Sequence, residues 1–565
     1  MTYYDTPISR RKEKIAQAVR LALQAARAAG KIEFTELPDF VVETPREAVH
    51  GDFATNVALL LSKAARQNPR AIAEILSNHF DLAAAGVAEI SIAGPGFINF
   101  CMPGFWQAGL LAEILAHKEK YGHSDAGAGA LVQVEFVSAN PTGELHMGNA
   151  RGAAIGDSLA SLLTMAGFCC QREYYINDAG NQIEKFALSL EARYLQALGQ
   201  DVPFPDDGYH GEDLPRLMAE LVQEIGDAYL QLKPELRRQR LAEYALQRKL
   251  SDIRAALENF GVHYDCWFSE QSLHASGAVG KIIDELRLKG WLLEKDGALW
   301  LDCTRFGEEK PEVLVRANGV PTYFAADIAY HENKFQRGFA TVIDIWGADH
   351  HGHVARMQGA MEALGYRRDR LEVILMQFVR LLQGGELLKM SKRTGTYVTL
   401  NELVEEVGRD AARFIFAMRS ADCLIDFDLD LAKRQTAENP VYYVQYAHAR
   451  ICSLMAAAAE GQLVADMERT EQQLAVLSHE SEQVLIRRLA DFPDEVILAA
   501  LQREPHRIAT YVQEVAALFH NFYDHCRVLS TDQQLTAARL ALAQATATVI
   551  KNGLNALGVS APQKM

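Results

Sequence analysis

The spacing of hydrophobic residues predicts helices and short strands in the first part of the chain. Residues 14–29 and 56–65 repeat apolar positions at the interval of an amphipathic helix. Residues 88–92 and 97–100 are short apolar segments separated by a Gly-Pro-Gly turn signal, which favours a pair of strands. We therefore predict a small α+β domain over residues 1–118.

A different pattern begins after a linker rich in Gly and Ala. Residues 131–137 form a nearly continuous apolar run typical of a buried parallel strand, and a loop and an apolar helix follow it. Residues 340–346 and 371–377 have the same strand character, whereas residues 189–260 are helical and heavily charged. These features predict an α/β domain over residues 119–400 with a helical insertion at about 189–260.

The strand pattern ends at about residue 395. The remaining sequence consists of successive amphipathic helices interrupted at Pro440, Pro493 and Pro505. We predict an all-helical domain over residues 401–565.

Composition narrows the class of protein. The chain has 565 residues, a formal net charge of −16 and eight cysteines without a C-x-x-C pair. The acidic excess argues against a uniformly basic nucleic-acid surface, so any such site must be local. With no stretch of ~18 apolar residues and no signal core, the sequence indicates a cytoplasmic enzyme with reduced thiols and no membrane partner.

The first candidate for chemistry is the segment His146-Met147-Gly148-Asn149, placed where a strand and loop meet the next helix. A helix N-terminus offers unpaired N–H groups and the positive end of a dipole, so added donors there favour polyphosphate binding. Gly148 would let a nucleotide approach the backbone. The alternative is that His146 and Asn149 only cap the helix.

The second candidate is the basic segment Lys389-Met390-Ser391-Lys392, far away in the sequence. Alone it could be a solvated charged turn. Together, a phosphate site and a distant cationic loop suit attack of a carboxylate on ATP. Lys389 and Lys392 would then neutralise the charge that grows on the departing pyrophosphate.

The two segments resemble the HIGH and KMSKS signatures of class I aminoacyl-tRNA synthetases, with Asn149 in place of the last His. Residues 135–143, 174–182, 322–330 and 557–562 are further similar to the arginyl-tRNA synthetases, so the resemblance spans nearly the whole chain. It implies a Rossmann-like catalytic domain between a small α+β domain and an all-α anticodon-binding domain. It also implies a set of catalytic and ATP-binding residues: His146, Gly148, Asn149, His350, Lys389, Met390, Ser391 and Lys392.

Arginine as the substrate agrees with the available side chains. A planar guanidinium with five donors requires carboxylates and a phenol held in a fixed arrangement. By resemblance, this end is bound by Glu135, Tyr323 and Asp327, and the α-amino and carboxylate end is bound by Ser138, Asn140 and Asp349. Taken singly, a Glu on a strand or a Tyr-Asp pair on a helix is more often a surface feature.

The segment 347–353 contains His350, His351 and His353, which raises the question of a metal. The spacing is poor for one tetrahedral site and no Cys or second His cluster accompanies it, so we predict no tightly bound metal. The resemblance instead places Asp349 and His350 beside the ATP and amino-acid pocket.

Two regions are predicted to contact tRNA. Residues 442–450, with Tyr442, Tyr446 and Arg450, resemble the first helix of a DALR-type anticodon-binding domain, where rings and Arg can stack on bases. A helix-packing stripe is the alternative. Asn56 lies in a segment that resembles the N-terminal domain of arginyl enzymes, which contacts the tRNA elbow.

The sequence thus predicts a monomeric ligase that uses ATP with Mg²⁺ to activate L-arginine and then charges tRNA(Arg). A glutamyl- or cysteinyl-type synthetase is disfavoured, because paired carboxylates repel an acid and no thiolate cluster could hold zinc. A small nucleotidyltransferase does not explain the helical C-terminal region. A paralogue that binds tRNA without catalysis is supported only by Asn149.

Overall fold

The computed structural model describes residues 4–45, 47–104, 106–209, 211, 213–388, 398–461 and 471–565. The predicted site residues Lys389, Met390, Ser391 and Lys392 lie outside the described residues.

The N-terminal region is an α+β unit, as the alternation of helical and strand patterns predicts. Four strands form an antiparallel sheet in the order β1-β2-β4-β3, and the helices cover one another and the sheet through a shared apolar core. Its elements are α1 (Pro7–Ala28), β1 (Val42–Glu43), β2 (Phe53–Thr55), α2 (Val57–Ala65), α3 (Pro69–His79), α4 (Leu82–Ala85), β3 (Glu89–Ala93), β4 (Phe97–Cys101) and α5 (Trp106–His117).

The central region is built on a five-stranded sheet in the order β12-β11-β5-β6-β7, in which every pair is parallel. Parallel strands need crossover connections, and helices provide them. The elements are β5 (Leu131–Glu135), α6 (Met147–Met165), β6 (Cys169–Ile176), α7 (Asn181–Ala197), α8 (Asp213–Ile225), α9 (Pro234–Asn259), β7 (Cys266–Ser269), α10 (Glu270–Ala275), α11 (Ala278–Leu288), β8 (Leu292–Lys295), β9 (Ala298–Leu301), β10 (Glu312–Val315), α12 (Tyr323–Gln336), β11 (Thr341–Gly347), α13 (His351–Leu364) and β12 (Leu371–Met376).

The helices α7, α8 and α9 enclose a small core of their own, separate from the main one. A second addition, the antiparallel sheet β10-β9-β8, packs with α11, α12 and α13 around another apolar cluster. Both are inserted between strands of the parallel sheet, the first between β6 and β7 and the second between β7 and β11.

A third small sheet follows the parallel one. Its strand order is β14-β13-β15, with β13 (Val379–Gln383) antiparallel to β14 (Glu386–Leu388) and parallel to β15 (Ile425–Asp428), and α14 (Leu400–Val407), α15 (Arg409–Ala417) and α16 (Leu429–Lys433) surround it. The prediction that strands end at about residue 395 is therefore wrong at β15. Four residues between two helices are too few for a period of two to stand out in the sequence.

The C-terminal region is entirely helical among its described residues. Its elements are α17 (Pro440–Glu460), α18 (Glu471–Leu474), α19 (Glu480–Ala490), α20 (Phe492–Gln502), α21 (His506–His525) and α22 (Gln533–Ala556). Most of the side chains of α6 are buried, because α14, α15, α20 and α22 pack around it together with the sheet. This helix is therefore the shared centre of the catalytic and C-terminal regions. No helix in the described part of the chain has the length and apolarity needed to cross a membrane.

Candidate active site

The first motif forms the N-terminal cap of α6. The imidazole Nδ1 of His146 accepts a hydrogen bond from the N–H of Gly148 at 3.1 Å, and Asn149 Oδ1 accepts one from the N–H of His146 at 3.0 Å. The capping alternative considered for these residues is therefore realised. It leaves the motif at the positive end of a 19-residue helix, which suits an anionic ligand.

The segment that follows the second motif lies directly on the first. The N–H of Met147 donates to the carbonyl of Val398 at 3.3 Å, and the N–H of Leu400 donates to the carbonyl of Leu145 at 2.8 Å. Residue 398 comes immediately after the undescribed stretch that contains Lys389 and Lys392. The fold thus brings Val398, the first described residue after that stretch, to the N-terminus of α6.

A buried ion network lies beneath the end of β5. The ammonium of Lys334, which is completely buried, donates to Glu135 Oε2 at 2.5 Å and to Asp344 Oδ1 at 2.8 Å. Burial lowers the pKa of Lys334, but the two carboxylates outweigh burial and raise it, so the side chain is held as a cation. The ammonium of Lys334 therefore balances the negative charge of Glu135.

The other oxygen of Glu135 holds Ser138. The hydroxyl of Ser138 donates to Glu135 Oε1 at 2.8 Å and accepts from the N–H of Tyr175 at 3.1 Å. The turn between them is strained, with Val137 at φ +70° and Ser138 at φ +38°, both rare for residues with a side chain. Asn140 follows and is exposed. Ser138 is thus fixed at the C-terminal edge of the sheet, where ligands of α/β folds bind.

A pocket with three carboxylates lies at the same edge. Glu270, at the start of α10, is buried, and burial together with the charges of Asp327 and Asp178 raises its pKa to about 7. The Tyr175 hydroxyl hydrogen-bonds to it. Asp178 accepts hydrogen bonds from Ser269 Oγ at 2.5 Å and from a backbone N–H at 2.8 Å. Like charges held this close favour a cationic ligand.

Tyr323 and Asp327 form one wall of this pocket, one turn apart on α12. Tyr323 is 46% exposed, and its ring covers Gly180, where a Cβ would lie 3.3 Å from the ring. Gly180 also has φ +77° and ψ −170°, a conformation that is essentially restricted to glycine. His353 Nε2 lies 3.2 Å from Asp327 Oδ2. The structure therefore brings Tyr323 and Asp327 together with two acids, Asp178 and Glu270, that the sequence analysis did not select.

The predicted residues Asp349 and His350 lie in a short turn after β11, and both side chains are mostly exposed. Of the three histidines in this segment, His353 is the one in contact with the carboxylate pocket, and its ring is 5.6 Å from that of Trp346. Among the described residues, no group of three His, Cys, Asp or Glu side chains is arranged to hold a metal.

The predicted tRNA-binding residues of α17 form an aromatic ladder, which consists of Tyr442, Tyr446 and His520. The two Tyr rings are nearly parallel at 6.4 Å, and Tyr446 is 6.0 Å from His520 on α21. Tyr446 is 44% exposed, whereas Arg450 lies 4.0 Å over the ring of Tyr523. These residues of α17 therefore combine helix packing, at Arg450, with an accessible ring face, at Tyr446.

The remaining tRNA candidate, Asn56, occupies the N-cap position of α2. Its side-chain oxygen is buried and has no hydrogen-bond partner among the described residues. This placement is closer to the core than to a nucleic-acid surface.

A parallel sheet with the N-terminus of a long helix and a cluster of carboxylates at one edge, joined to a helical C-terminal region, is the arrangement of a class I aminoacyl-tRNA synthetase. The sequence profile described as "tRNA synthetases class I (R), catalytic domain" matches residues 110–453, the "Arginyl tRNA synthetase N terminal domain" matches residues 12–102, and the "DALR anticodon binding domain" matches residues 444–565. The chain belongs to the arginine–tRNA ligases.

Known relatives agree over the whole length. The chain is 58% identical to the arginine–tRNA ligase of Moorella thermoacetica over 554 residues, covering 98% of this chain and 99% of the relative. It is 58% identical to that of Heliobacterium modesticaldum over 557 residues, covering 98% and 99%. These matches confirm the predicted family, fold class and enzyme type.

Solved structures share the fold. A putative arginyl-tRNA synthetase from Campylobacter jejuni is 33% identical with a TM-score of 0.74, covering 82% of this chain and 100% of that one. The arginyl-tRNA synthetase of Thermus thermophilus superposes with a TM-score of 0.73 at 23% identity, covering 98% and 100%. The predicted domain boundaries at 118 and 400 and the individual site residues stay predictions.

Proposed function

We propose that this site activates L-arginine with ATP and then transfers the arginyl group to the 3′ end of tRNA(Arg). In the first step a carboxylate oxygen of arginine attacks the α-phosphorus of ATP, and pyrophosphate leaves with the broken P–O bond. In the second, a terminal hydroxyl of tRNA attacks the activated carbonyl and AMP leaves. The observation that carries the proposal is the carboxylate pocket of Asp178, Glu270 and Asp327 at the same sheet edge as the N-terminus of α6.

The guanidinium end of arginine is assigned to Glu270, Asp327 and Tyr323. Charge-assisted hydrogen bonds from a guanidinium to carboxylates are about twice as strong as neutral ones. A buried Glu whose pKa is raised by neighbouring acids gains most from such a cation. The pocket thereby selects a long cationic side chain and rejects glutamate.

The α-amino and carboxylate end is assigned to Ser138, Asn140 and Asp349. Glu135, which the sequence resemblance places at the guanidinium end, is assigned instead to the α-amino and carboxylate end, because its two oxygens already bind Ser138 and Lys334. In this role Glu135 orients the Ser138 hydroxyl and does not itself contact the guanidinium.

ATP is assigned to His146, Gly148 and Asn149 at the N-terminus of α6, together with His350 and the segment from Lys389 to Lys392. The backbone N–H groups and the dipole of α6 favour the phosphates. Mg²⁺ would enter with ATP, bound mainly by phosphate oxygens and water, as this ion usually is.

tRNA(Arg) is assigned to two surfaces. The ladder of Tyr442, Tyr446 and His520 offers an exposed ring on which an unpaired base can stack, and Arg450, one turn further along α17, lies over the ring of Tyr523. Asn56 is kept as a candidate on the N-terminal domain. A cytoplasmic location and a monomeric state are also part of the proposal.

The test is exchange of labelled pyrophosphate into ATP with arginine, lysine, glutamate and methionine, run with and without tRNA. Arginine-dependent exchange is expected. The Glu270→Gln variant should raise the KM for arginine by about 10–100-fold, because a charged hydrogen bond contributes about 1.5–3 kcal/mol. Exchange with another amino acid but not with arginine would overturn the proposal.

The competing reading, a chain that binds tRNA without catalysis, is tested separately. Lys392→Ala should lower activation far more than tRNA affinity if the chain is catalytic. Equal loss of both, with no arginine-dependent exchange in the unmodified chain, would favour the binding protein.

A further inference from the structure

Arg151 is a buried cation that the reaction as described does not use. It lies on α6, one turn after Met147, and is completely shielded from solvent. Its Nη1 donates to the carbonyl of Gln377 at 2.6 Å, and its Nη2 donates to the carbonyls of Ser420 at 2.9 Å and Cys423 at 2.7 Å. One guanidinium thus joins three backbone carbonyls from two separate segments.

The charge of Arg151 is not balanced in the usual way. A buried Arg is normally paired with a carboxylate, yet the hydrogen bonds of Arg151 among the described residues all go to carbonyl oxygens, and Asp422 acts on it only through its charge. Burial lowers its pKa to about 10, which still leaves the side chain protonated at neutral pH. Because burying an unpaired cation is costly, the arrangement implies that the position of the three carbonyls matters.

Those carbonyls fix the junction between β12 and β13. Gln377 lies between the two strands, and its own N–H donates to the carbonyl of Ala421 at 2.9 Å. From this junction the chain continues into the hairpin of β13 and β14, whose last residue, Leu388, precedes Lys389 in the sequence. Arg151 therefore ties the base of the hairpin to α6.

The backbone just before α14 is tied to the first turn of α6. The carbonyl of Val398 accepts a hydrogen bond from the N–H of Met147. Met147 and Arg151 thus hold Val398 and Gln377, respectively, at the first two turns of the helix whose N-terminal cap is His146.

We propose that Arg151 is a positioning residue for the ATP half of the site, setting the β12–β13 junction and its hairpin against the N-terminal turn of α6. This inference rests on the proposed function. Its guanidinium contacts neither arginine nor ATP in this role. It acts through the backbone of the junction and of the β13–β14 hairpin, which packs beside α6, and misplacement of a group in the site by about 1 Å can cost about 100-fold in rate.

A second buried arginine offers a matched control. Arg413 on α15 is equally buried, donates to the carbonyls of Phe260, Gly261 and Leu557, and contacts α6 through Asp157 at 2.6 Å. Its partner Asp157 lies near the middle of α6, and its hydrogen bonds reach neither the junction nor the hairpin. Loss of Arg413 therefore tests what a purely structural buried arginine contributes.

The experiment compares Arg151→Gln, Arg151→Lys and Arg413→Lys in arginine-dependent pyrophosphate exchange and in thermal unfolding. Arg151→Gln should lower kcat by about 10–100-fold and raise the KM for ATP, with the KM for arginine within about twofold. Arg151→Lys keeps the charge but not the planar fork, so it should recover only part of the activity. Arg413→Lys should lower the unfolding temperature and leave both KM values unchanged.

The outcomes separate the two proposals. Activity of the unmodified chain with arginine tests the proposed function alone. If that activity is present but Arg151→Gln has unchanged ATP kinetics, or if both KM values change together as in a general loss of structure, the positioning role is refuted. Should Arg151→Gln fail to fold, wild-type ATP kinetics in Arg151→Lys would refute it equally.

Discussion

Binding of arginine should release a proton near neutral pH, and the source should be Glu270. Burial and the charges of Asp327 and Asp178 raise the pKa of Glu270 to about 7 in the free chain. A bound guanidinium supplies the opposite charge and lowers that pKa again. Because the ionised carboxylate is the form that binds the cation, affinity for arginine should rise as the pH rises through about 7.

The size of the effect follows from the titration. With a pKa of about 7, Glu270 is about 10% ionised at pH 6 and about 90% ionised at pH 8, so the Kd for arginine should fall about tenfold between them. The number of protons released per arginine should be about 0.9 at pH 6, about 0.5 at pH 7 and about 0.1 at pH 8.

Calorimetric titration of arginine in buffers with different ionisation enthalpies measures this release directly. The Glu270→Gln variant should bind more weakly and lose the pH dependence, because its amide cannot titrate. Glu294→Gln, at an exposed position on β8, is the matched control and should behave as the unmodified chain does. Binding heats that do not depend on the buffer at pH 6 would refute the assignment, as would an unchanged pH profile in Glu270→Gln.

Three other parts of the structure can be tested by substitution. Lys334→Met leaves two buried carboxylates without their cation, so urea denaturation should show a loss of about 3–5 kcal/mol in the free energy of unfolding, and a loss below 1 kcal/mol would contradict the buried network. Gly558→Ala should cost about 2–4 kcal/mol, because φ is +66° and the new Cβ would lie 2.1 Å from the Arg413 guanidinium, whereas Gly290→Ala, with φ +75° and open space around it, should cost only about 1 kcal/mol. Tyr446→Ala should weaken tRNA binding by about 5–150-fold in a fluorescence anisotropy titration, since stacking on one base contributes about 1–3 kcal/mol, and arginine affinity should stay the same.

The parts of the fold that the sequence predicted are those with a strong local pattern. Four of these elements lie within a few residues of their predicted places: β5, β11, β12 and the hairpin of β3 and β4. The strands β6 and β7 were not predicted, because β6 carries Gln171, Arg172 and Glu173 in its middle and β7 is only four residues long. Those polar side chains are satisfied by partners from other elements, such as the pairing of Glu173 with Arg337 at 2.6 Å.

The candidate site shows the same division. His146, Tyr323 and Asp327 belong to continuous motifs and could be selected from the sequence. Glu270 could not, since it is a single acid at the start of a six-residue helix and gains its character only from Asp178 and Asp327, which are distant in the sequence. Asp178 lies in residues 174–182, which resemble the arginyl-tRNA synthetases, but its role depends on being close to Glu270 and Asp327.

The sequence by itself therefore determined the family, the three-region architecture and the two motifs, because these depend on local periodicity and on residues that are consecutive in the chain. Only the tertiary structure decided which acids lie together, that Glu135 is neutralised by Lys334, and that the side chain of Arg151 joins α6 to the β12–β13 junction. Each of these depends on burial and on charges brought within a few ångströms by the folded sheet. Neither burial nor such proximity is encoded in the spacing of residues along the chain.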